Sequence, residues 1–482
     1  MNTSEIAGKQ STGIPWWPTV VCASLAGGMG WGIRGQYGHE TGAMIAGVLV
    51  CLVIALTLCR NARALDVARA VALGTIAMGF GGTETYGQTV GLTQNPELIG
   101  NWSAFTWGMI GLAIKGSVWI GFCGLFLGMG LGGTRYTAIE MLVAMLLSLA
   151  AYWAGVWLLN SPFDPESKRL PALYFSATWD WYPNKADPEP RYEAWGGIWF
   201  AFLFVMFYTR VLRKDGMGWR LGLWGVLGGA LGFPLGQCIQ AYHAWNAESM
   251  KEGIWPILNY WNFMETTFGL VMGAMLGFGT WLHRNRIRLI EYDRDEWMTL
   301  PWEWTLLIVH CALLVLSEFW IPIELIGTVY DLGLVMGVIP LMAIAGGRLW
   351  PYFAIFPVTL MPIAGKTLRN LGYEEGAISI VSGWLLYVIV PMALAIVAVA
   401  WYGRAFNRNR NASEFARGAL LFCAWVYFLL NYAFFRFPWP WEKWTGRTPN
   451  AIVFMFCIAA LTWLALSARR AYRSPQSPAG SV

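Results

Sequence analysis

Charge is scarce in this chain. Only 13% of its 482 residues are Asp, Glu, Lys or Arg, about half the roughly 25% of a soluble domain, so a soluble globular reading is excluded. Histidine is rarer still: His39, His243, His283 and His310 are too few and too scattered for a haem or metal assignment. The eight cysteines, at positions 22, 51, 59, 123, 238, 311, 423 and 457, fall singly in or beside apolar runs without a CxxC pair. They read as buried free thiols rather than a zinc site or a disulfide framework. There is no P-loop, no His-Glu-x-x-His, no Gly-x-Ser-x-Gly and no strand-borne dinucleotide glycine fingerprint, so an ATP-driven pump, a zinc protease and a serine hydrolase have no support. No cofactor and no metal are expected. No small-residue cleavage site follows a clean apolar core near the N-terminus, and the first helix is expected to be retained.

What is present is apolar surface: 56% of residues are hydrophobic, mean hydropathy is +0.47, and there are 55 glycines and 30 tryptophans. Glycine suits close helix packing in a bilayer, and tryptophan suits the membrane–water interface. A hydrocarbon core about 30 Å thick needs roughly 20 mostly apolar residues per helix. Such runs fall at 16–34, 42–59, 66–83, 105–132, 137–159, 194–212, 219–241, 257–282, 303–320, 325–346, 350–365, 378–402, 415–436 and 450–468. The expected fold class is all-α, a polytopic transmembrane bundle of about 14 helices. It forms one domain over 15–470, between a tail at 1–14 and a polar tail at 471–482.

Basic residues set the orientation. Arg60, Arg63 and Arg69 follow the second run, Arg210, Arg213, Lys214 and Arg220 the sixth, Arg284, Arg286 and Arg288 the eighth, Arg404, Arg408, Arg410 and Arg417 the twelfth, and Arg469, Arg470 and Arg473 the last. All lie after even-numbered runs, so the positive-inside rule puts both termini in the cytoplasm. A bacterial inner (plasma) membrane is the expected location. The net charge of +5 is small and spread over these short connections, which argues against nucleic-acid binding. The longest outer connection, 161–192, is either a small lid or surface contact or an irregular linker. A second outer connection, Pro438 to Trp444, is rich in tryptophan.

An internal repeat is also visible. Lys115 to Gly130 aligns without gaps with Met264 to Gly279, placing Gly124, Gly128 and Gly130 on Gly273, Gly277 and Gly279. Upstream, Gly79-Phe80 with Gly87-Gln88 matches Gly232-Phe233 with Gly236-Gln237, and Gly30-Trp31 with Gly35-Gln36 is a related form. Runs three and four then read as a parallel copy of runs seven and eight. Glycine spacing alone requires only close packing.

Polar residues at bilayer depth are costly unless paired or hydrated. With the orientation above, most of them fall toward the outer side: Arg34, Gln36, His39 and Glu40 after the first run, Glu84, Tyr86 and Gln88 after the third, and Gln237, Gln240 and His243 at the end of the seventh. Glu265 starts the eighth run, Glu318 ends the ninth, Asp331 is in the tenth, and Lys366, Arg369, Glu374 and Glu375 follow the eleventh. Lys115 lies deeper in the fourth. Together they imply a shared, wet cavity. In the first group four glycines interleave with the polar residues, which suits unwound backbone lining a cavity. There Arg34 would hold an anionic or hydroxylated group and His39 or Glu40 would exchange a proton; the alternative is a tight turn closed by an Arg34–Glu40 pair. Lys115 and Glu265 hold nearly equivalent repeat positions and are expected to pair across the repeat interface, as a structural bridge or as a charge pair that opens with substrate. His310 reads as packing.

Two functions suit these features. The first is a secondary transporter or permease for a small polar or anionic solute, driven by an ion or proton gradient. The second is a membrane-embedded transferase with an outer-side active site on a lipid-linked or sugar substrate, with Glu40, Glu84 or His39 as general base and Arg34 and Lys366 holding phosphate or carboxylate. Expected partners are the solute or lipid-linked substrate and the membrane lipid, with no nucleic acid. A non-catalytic subunit of a membrane complex is a third, weaker reading.

Overall fold

The computed structural model describes residues 14–35, 37–38, 41–60, 62–182, 189–289, 298–319, 337–403, 411–435 and 446–473. Among these residues the chain is helical, with no strands. The long helices are α1 (Trp16–Arg34), α2 (Thr41–Leu58), α3 (Ala64–Met78), the short α4 (Gly87–Gln94), α5 (Trp102–Leu131), α6 (Ala138–Leu159), α7 (Trp195–Phe207), α8 (Gly218–Trp245) and α9 (Tyr260–Leu282). They continue with α10 (Leu300–Phe319), α11 (Val338–Gly346), α12 (Thr359–Leu368), α13 (Val390–Gly403), α14 (Ala412–Phe435) and α15 (Thr448–Arg473). Among the described residues ten helices are long and apolar enough to cross a membrane. The chain is a helical protein of membrane type.

Local chemistry sets the helix ends. Asn101 accepts from the Ala104 amide to cap α5, Thr137 and Glu140 form a capping box on α6, and Asn259 accepts from the Asn262 amide on α9. Pro357 and Pro362 remove donors near α12, which is preceded by a π-helical turn, Ala354–Val358, and followed by another, Arg369–Glu374. The half of the tenth run that carries Asp331 lies outside the described residues, as do the Pro438 to Trp444 loop and both terminal tails except 14 and the end of α15.

Six helices close a ring in which each packs on the next: α1, α2, α3, α5, α8, α9 and back to α1. Its seams are made by glycine. Gly124 of α5 lies on the Leu221 carbonyl of α8, Gly229 of α8 on the Gly116 carbonyl of α5, and Gly273 of α9 on the Ala23 carbonyl of α1. A Cβ at any of these would collide with backbone, so helix approach here depends on glycine. The ring is filled by aromatic rings: Trp31 meets Trp119 at 5.0 Å and Phe268 at 4.4 Å, and Phe233 stacks on Phe268 at 4.8 Å. Helix α2 is buried from Thr41 through Thr57. By contrast α6, α10 and α13 expose large apolar side chains such as Trp157, Ile308 and Val397, which is how a lipid-facing helix looks.

The connections sort into two ends. Arg63 bridges to Asn411, the Arg288 amide donates to the Leu131 carbonyl at 2.8 Å, Tyr136 donates to Asp215 at 2.8 Å, and Arg213 pairs with Glu140 at 2.7 Å. The connections after α2, α5, α7, α9 and α13 therefore meet at one end. Those after α1 and α3 meet the start of α9 at the other.

Candidate functional site

Helix α1 ends where Gly35 lies against the Glu265 carboxylate, leaving no room for a Cβ. The Tyr37 amide turns back to the Arg34 carbonyl at 2.7 Å, and Gly38 takes φ of 95°, a left-handed conformation that favours glycine. Helix α2 then starts at Thr41. The glycine-rich stretch thus breaks the helix inside the bundle. Gln36, His39 and Glu40, expected to share this site, lie outside the described residues.

Arg34 is buried, with 2% of its side chain exposed. Its Nη1 donates to the Tyr86 hydroxyl at 3.0 Å and to Glu265 Oε1 at 3.1 Å. The guanidinium also lies 5.1 Å from the Trp31 ring centre and 5.0 Å from that of Trp119, in cation–π range. Glu265 is held from its own helix by Trp261 Nε1 at 3.2 Å and Asn262 Nδ2 at 3.3 Å, and the same Asn262 amide donates to the Gly32 carbonyl at 2.7 Å. Among the described residues an aromatic box therefore presents the Arg34 cation with the Glu265 carboxylate.

The expected Lys115–Glu265 pair does not form. Lys115 pairs with Glu193 at 2.7 Å and Glu84 at 3.3 Å, while Glu265 pairs with Arg34. The reason is the ring order: α5 faces α8 and the Glu84 segment, whereas α9 faces α1. Lys115 Nζ also donates to the Thr85 carbonyl at 2.6 Å and Thr89 Oγ1 at 3.0 Å. Glu193 accepts from Ser176 Oγ at 2.7 Å and the Phe175 amide at 3.0 Å. Glu193 escaped the sequence reading because it stands two residues before α7, where hydropathy marks a loop edge. The 161–192 connection supplies Phe175 and Ser176 to it, so the described part of that connection packs onto the cluster. Glu84 lies just past the span of α3, and burial away from water pushes its carboxyl up to about 7, with Lys115 pulling it down and Glu193 pushing it further up.

Other expected residues separate into two groups. Lys366 is half-buried and feels the charges of Glu318, Arg369, Glu374 and Arg447; its neighbour Thr367 lies 3.4 Å from the Tyr37 hydroxyl. Arg447, just before α15, in turn feels Tyr37 and Glu265. Lys366 thus joins the Arg34 region through Tyr37. Gln88 does not: it donates to the Glu189 carbonyl at 2.7 Å and accepts from the Arg191 amide at 3.2 Å, latching the long connection. Gln237 donates to Thr93 Oγ1 on α4 at 2.7 Å.

One group was missed entirely. Asn450 on α15 is fully buried, and among the described residues no donor or acceptor meets its side-chain amide. It sits one helical turn from Phe454, on the same face of α15, and the Phe454 ring tip lies against Gly32 of α1. An unsatisfied buried amide costs free energy unless water or a ligand meets it. Its signal in the sequence was a lone Asn at the start of an apolar run, indistinguishable from a helix cap. Among the described residues no hydrogen bond reaches the buried His310, which lies 5.9 Å from the Trp350 ring.

No family model matches this chain, and no curated protein is significantly similar to it. Residue roles therefore rest on the geometry.

Proposed function

We propose that this chain is a secondary transporter for a small anionic or polar solute, with Arg34 as the residue that holds it. The observation that carries this reading is the buried Arg34 at the broken end of α1. Among the described residues its carboxylate partner is Glu265, which comes from a different helix, and the orphan Asn450 amide lies on the face of α15 whose Phe454 meets Gly32 of α1. A solute anion could take Glu265's place on the guanidinium, and exchanging one partner for the other would let α1 and α9 move apart. Broken helices and intramembrane ion pairs of this kind suit alternating access.

In this reading the chain crosses an inner membrane fourteen times with both termini in the cytoplasm. The meeting of the Arg63, Arg213 and Arg288 connections at one end supports that orientation, since basic connections belong inside. The Arg34 site then opens outward. The parallel repeat is supported by equivalent seams: Gly130 of α5 lies against Ala70 of α3 as Gly279 of α9 lies against Trp224 of α8, and Gly124 and Gly273 each meet the first helix of the next pair.

One observation favours the transferase instead. An apolar surface pocket lined by Phe80, Phe122, Leu149 and Tyr152 among others lies near Glu84, whose charge reaches Tyr152. It would suit the chain of a lipid-linked substrate.

Uptake separates the two. Purified protein in sealed vesicles should accumulate one of a panel of labelled small carboxylates, phosphates and sugar acids, and Arg34→Ala should abolish it. Turnover of a lipid-linked donor in detergent, with no Arg34-dependent uptake, would replace transport by the transferase.

A further inference from the structure

Solute binding at Arg34 does not use the cluster around Lys115. Lys115, Glu84 and Glu193 are buried together, with side chains 0–1% exposed, one cation against two carboxylates. An ammonium has three protons to donate. All three are taken: by the Thr85 carbonyl, by Thr89 Oγ1 and by Glu193 Oε1. Glu193 is further satisfied by Ser176 and the Phe175 amide. Glu84 stands 3.3 Å from an ammonium whose three protons are directed elsewhere, with the Thr85 amide beside it, so its charge is less well met than that of Glu193.

With both carboxylates ionised the cluster carries a net negative charge in a site closed to water, the arrangement that burial most opposes. One proton on Glu84 makes it neutral while leaving the Lys115–Glu193 pair untouched. The groups facing Glu84 are Lys115 from α5, Glu193 and Tyr192 from the segment before α7, and Tyr152 from α6.

We propose that Glu84, Lys115 and Glu193 form a proton-binding site, in which Glu84 takes up and releases the coupling proton. The inference rests on the transport reading for its purpose and on the cluster's geometry for its chemistry. Uptake converts the Glu84 carboxylate and an aqueous proton to the carboxylic acid; release reverses this, and no other group changes charge. Coupling to the solute follows from the chain. Glu84, Thr85 and Tyr86 are consecutive in the short link between the turn at Phe80–Thr83 and α4, so the carboxyl, the carbonyl on Lys115 and the hydroxyl on Arg34 are joined within three residues. A change in the Glu84–Lys115 contact is thereby delivered to the Arg34 site.

The test is an infrared pH titration of the purified full chain, from about pH 5 to about pH 9, following the carbonyl stretch of a water-excluded protonated carboxyl. The wild type should show this band with a midpoint at about 7. Glu265→Gln should retain it, and in that background, where the other fully buried carboxyl of the ring is gone, Glu84→Gln should remove it. Should Glu84→Gln fail to fold, Glu193→Gln keeps an acceptor for Lys115 and Ser176 and removes the like charge, so the midpoint should fall. A band absent across the range, unaffected by Glu84→Gln, or unmoved by Glu193→Gln overturns the proposal. No solute enters the experiment, so the two readings fail separately. A titrating Glu84 beside Arg34-independent flux upholds the proton site and sinks the solute role of Arg34, whereas a flat titration beside Arg34-dependent flux overturns the proton site alone.

Discussion

Arg34 and Glu265 are 231 residues apart in the chain and meet at 3.1 Å with only 2% of either side chain exposed. The pair ties the broken end of α1 to the second turn of α9, and it does so where glycine has already brought the two helices into backbone contact. A buried pair in that position holds two helices in one register and gives a competing anion a way to release them.

Breaking that pair one-sidedly should be costly. Arg34→Ala leaves Glu265 buried without its cation and should destabilise the protein by about 3–5 kcal/mol, whereas Arg34→Met combined with Glu265→Met should lose less than either single change. Thermal melting in one detergent checks this. A double variant as unstable as the sum of the singles would show that the two side chains do not act as a pair.

Stability should also depend on pH through Glu84. Its folded carboxyl is raised from about 4.5 to about 7, so the fold favours the protonated form. Its stabilising contribution is complete below about 4.5 and is lost as pH rises through about 7. Melting temperature should therefore fall between mildly acidic and mildly alkaline buffer, and Glu84→Gln should flatten that slope. A slope unchanged by the substitution would assign it to another group.

Glycine seams predict a sharp contrast between two alanine substitutions. A Cβ at Gly229 meets the Gly116 carbonyl, while one at Gly87 meets nothing within 4 Å. Gly229→Ala should cost about 1–3 kcal/mol by overpacking, and Gly87→Ala should change stability little. Equal melting temperatures for the two would mean that the α5–α8 seam relaxes.

Gln88 latches the long connection rather than lining the site. Gln88→Ala should speed hydrogen exchange at the Arg191 amide, which donates to the Gln88 side chain at 3.2 Å. Exchange over residues 189–193 as slow as in the wild type would show that other contacts suffice.

Helix positions were legible because hydropathy acts locally: the run expected at 137–159 is α6 at Ala138–Leu159, and that at 16–34 is α1 at Trp16–Arg34. Arg34, Glu84, Lys115 and Glu265 were legible as candidates for the same reason, since a charge in an apolar run stands out. Their partners were not. Lys115 was matched to Glu265 by repeat position, but an ion pair is decided by which helices are neighbours, and ring packing gave each residue a different carboxylate or cation. Glu193 and Asn450 were hidden by position, one at a loop edge and one at a helix start, where polar residues are ordinary. The π-helical turn before α12 leaves no trace beyond Pro357, and the one after it leaves none.

All of this depends on the Arg34 site being a wet chamber and not a dry core. A high-resolution cryo-EM map of the protein in lipid nanodiscs tests it most directly. Ordered non-protein density, water or a bound anion, should stand between the Arg34 guanidinium and the Asn450 amide. Apolar side chains closing that space, with the Asn450 amide hydrogen-bonded to protein and no density beside Arg34, would contradict the account.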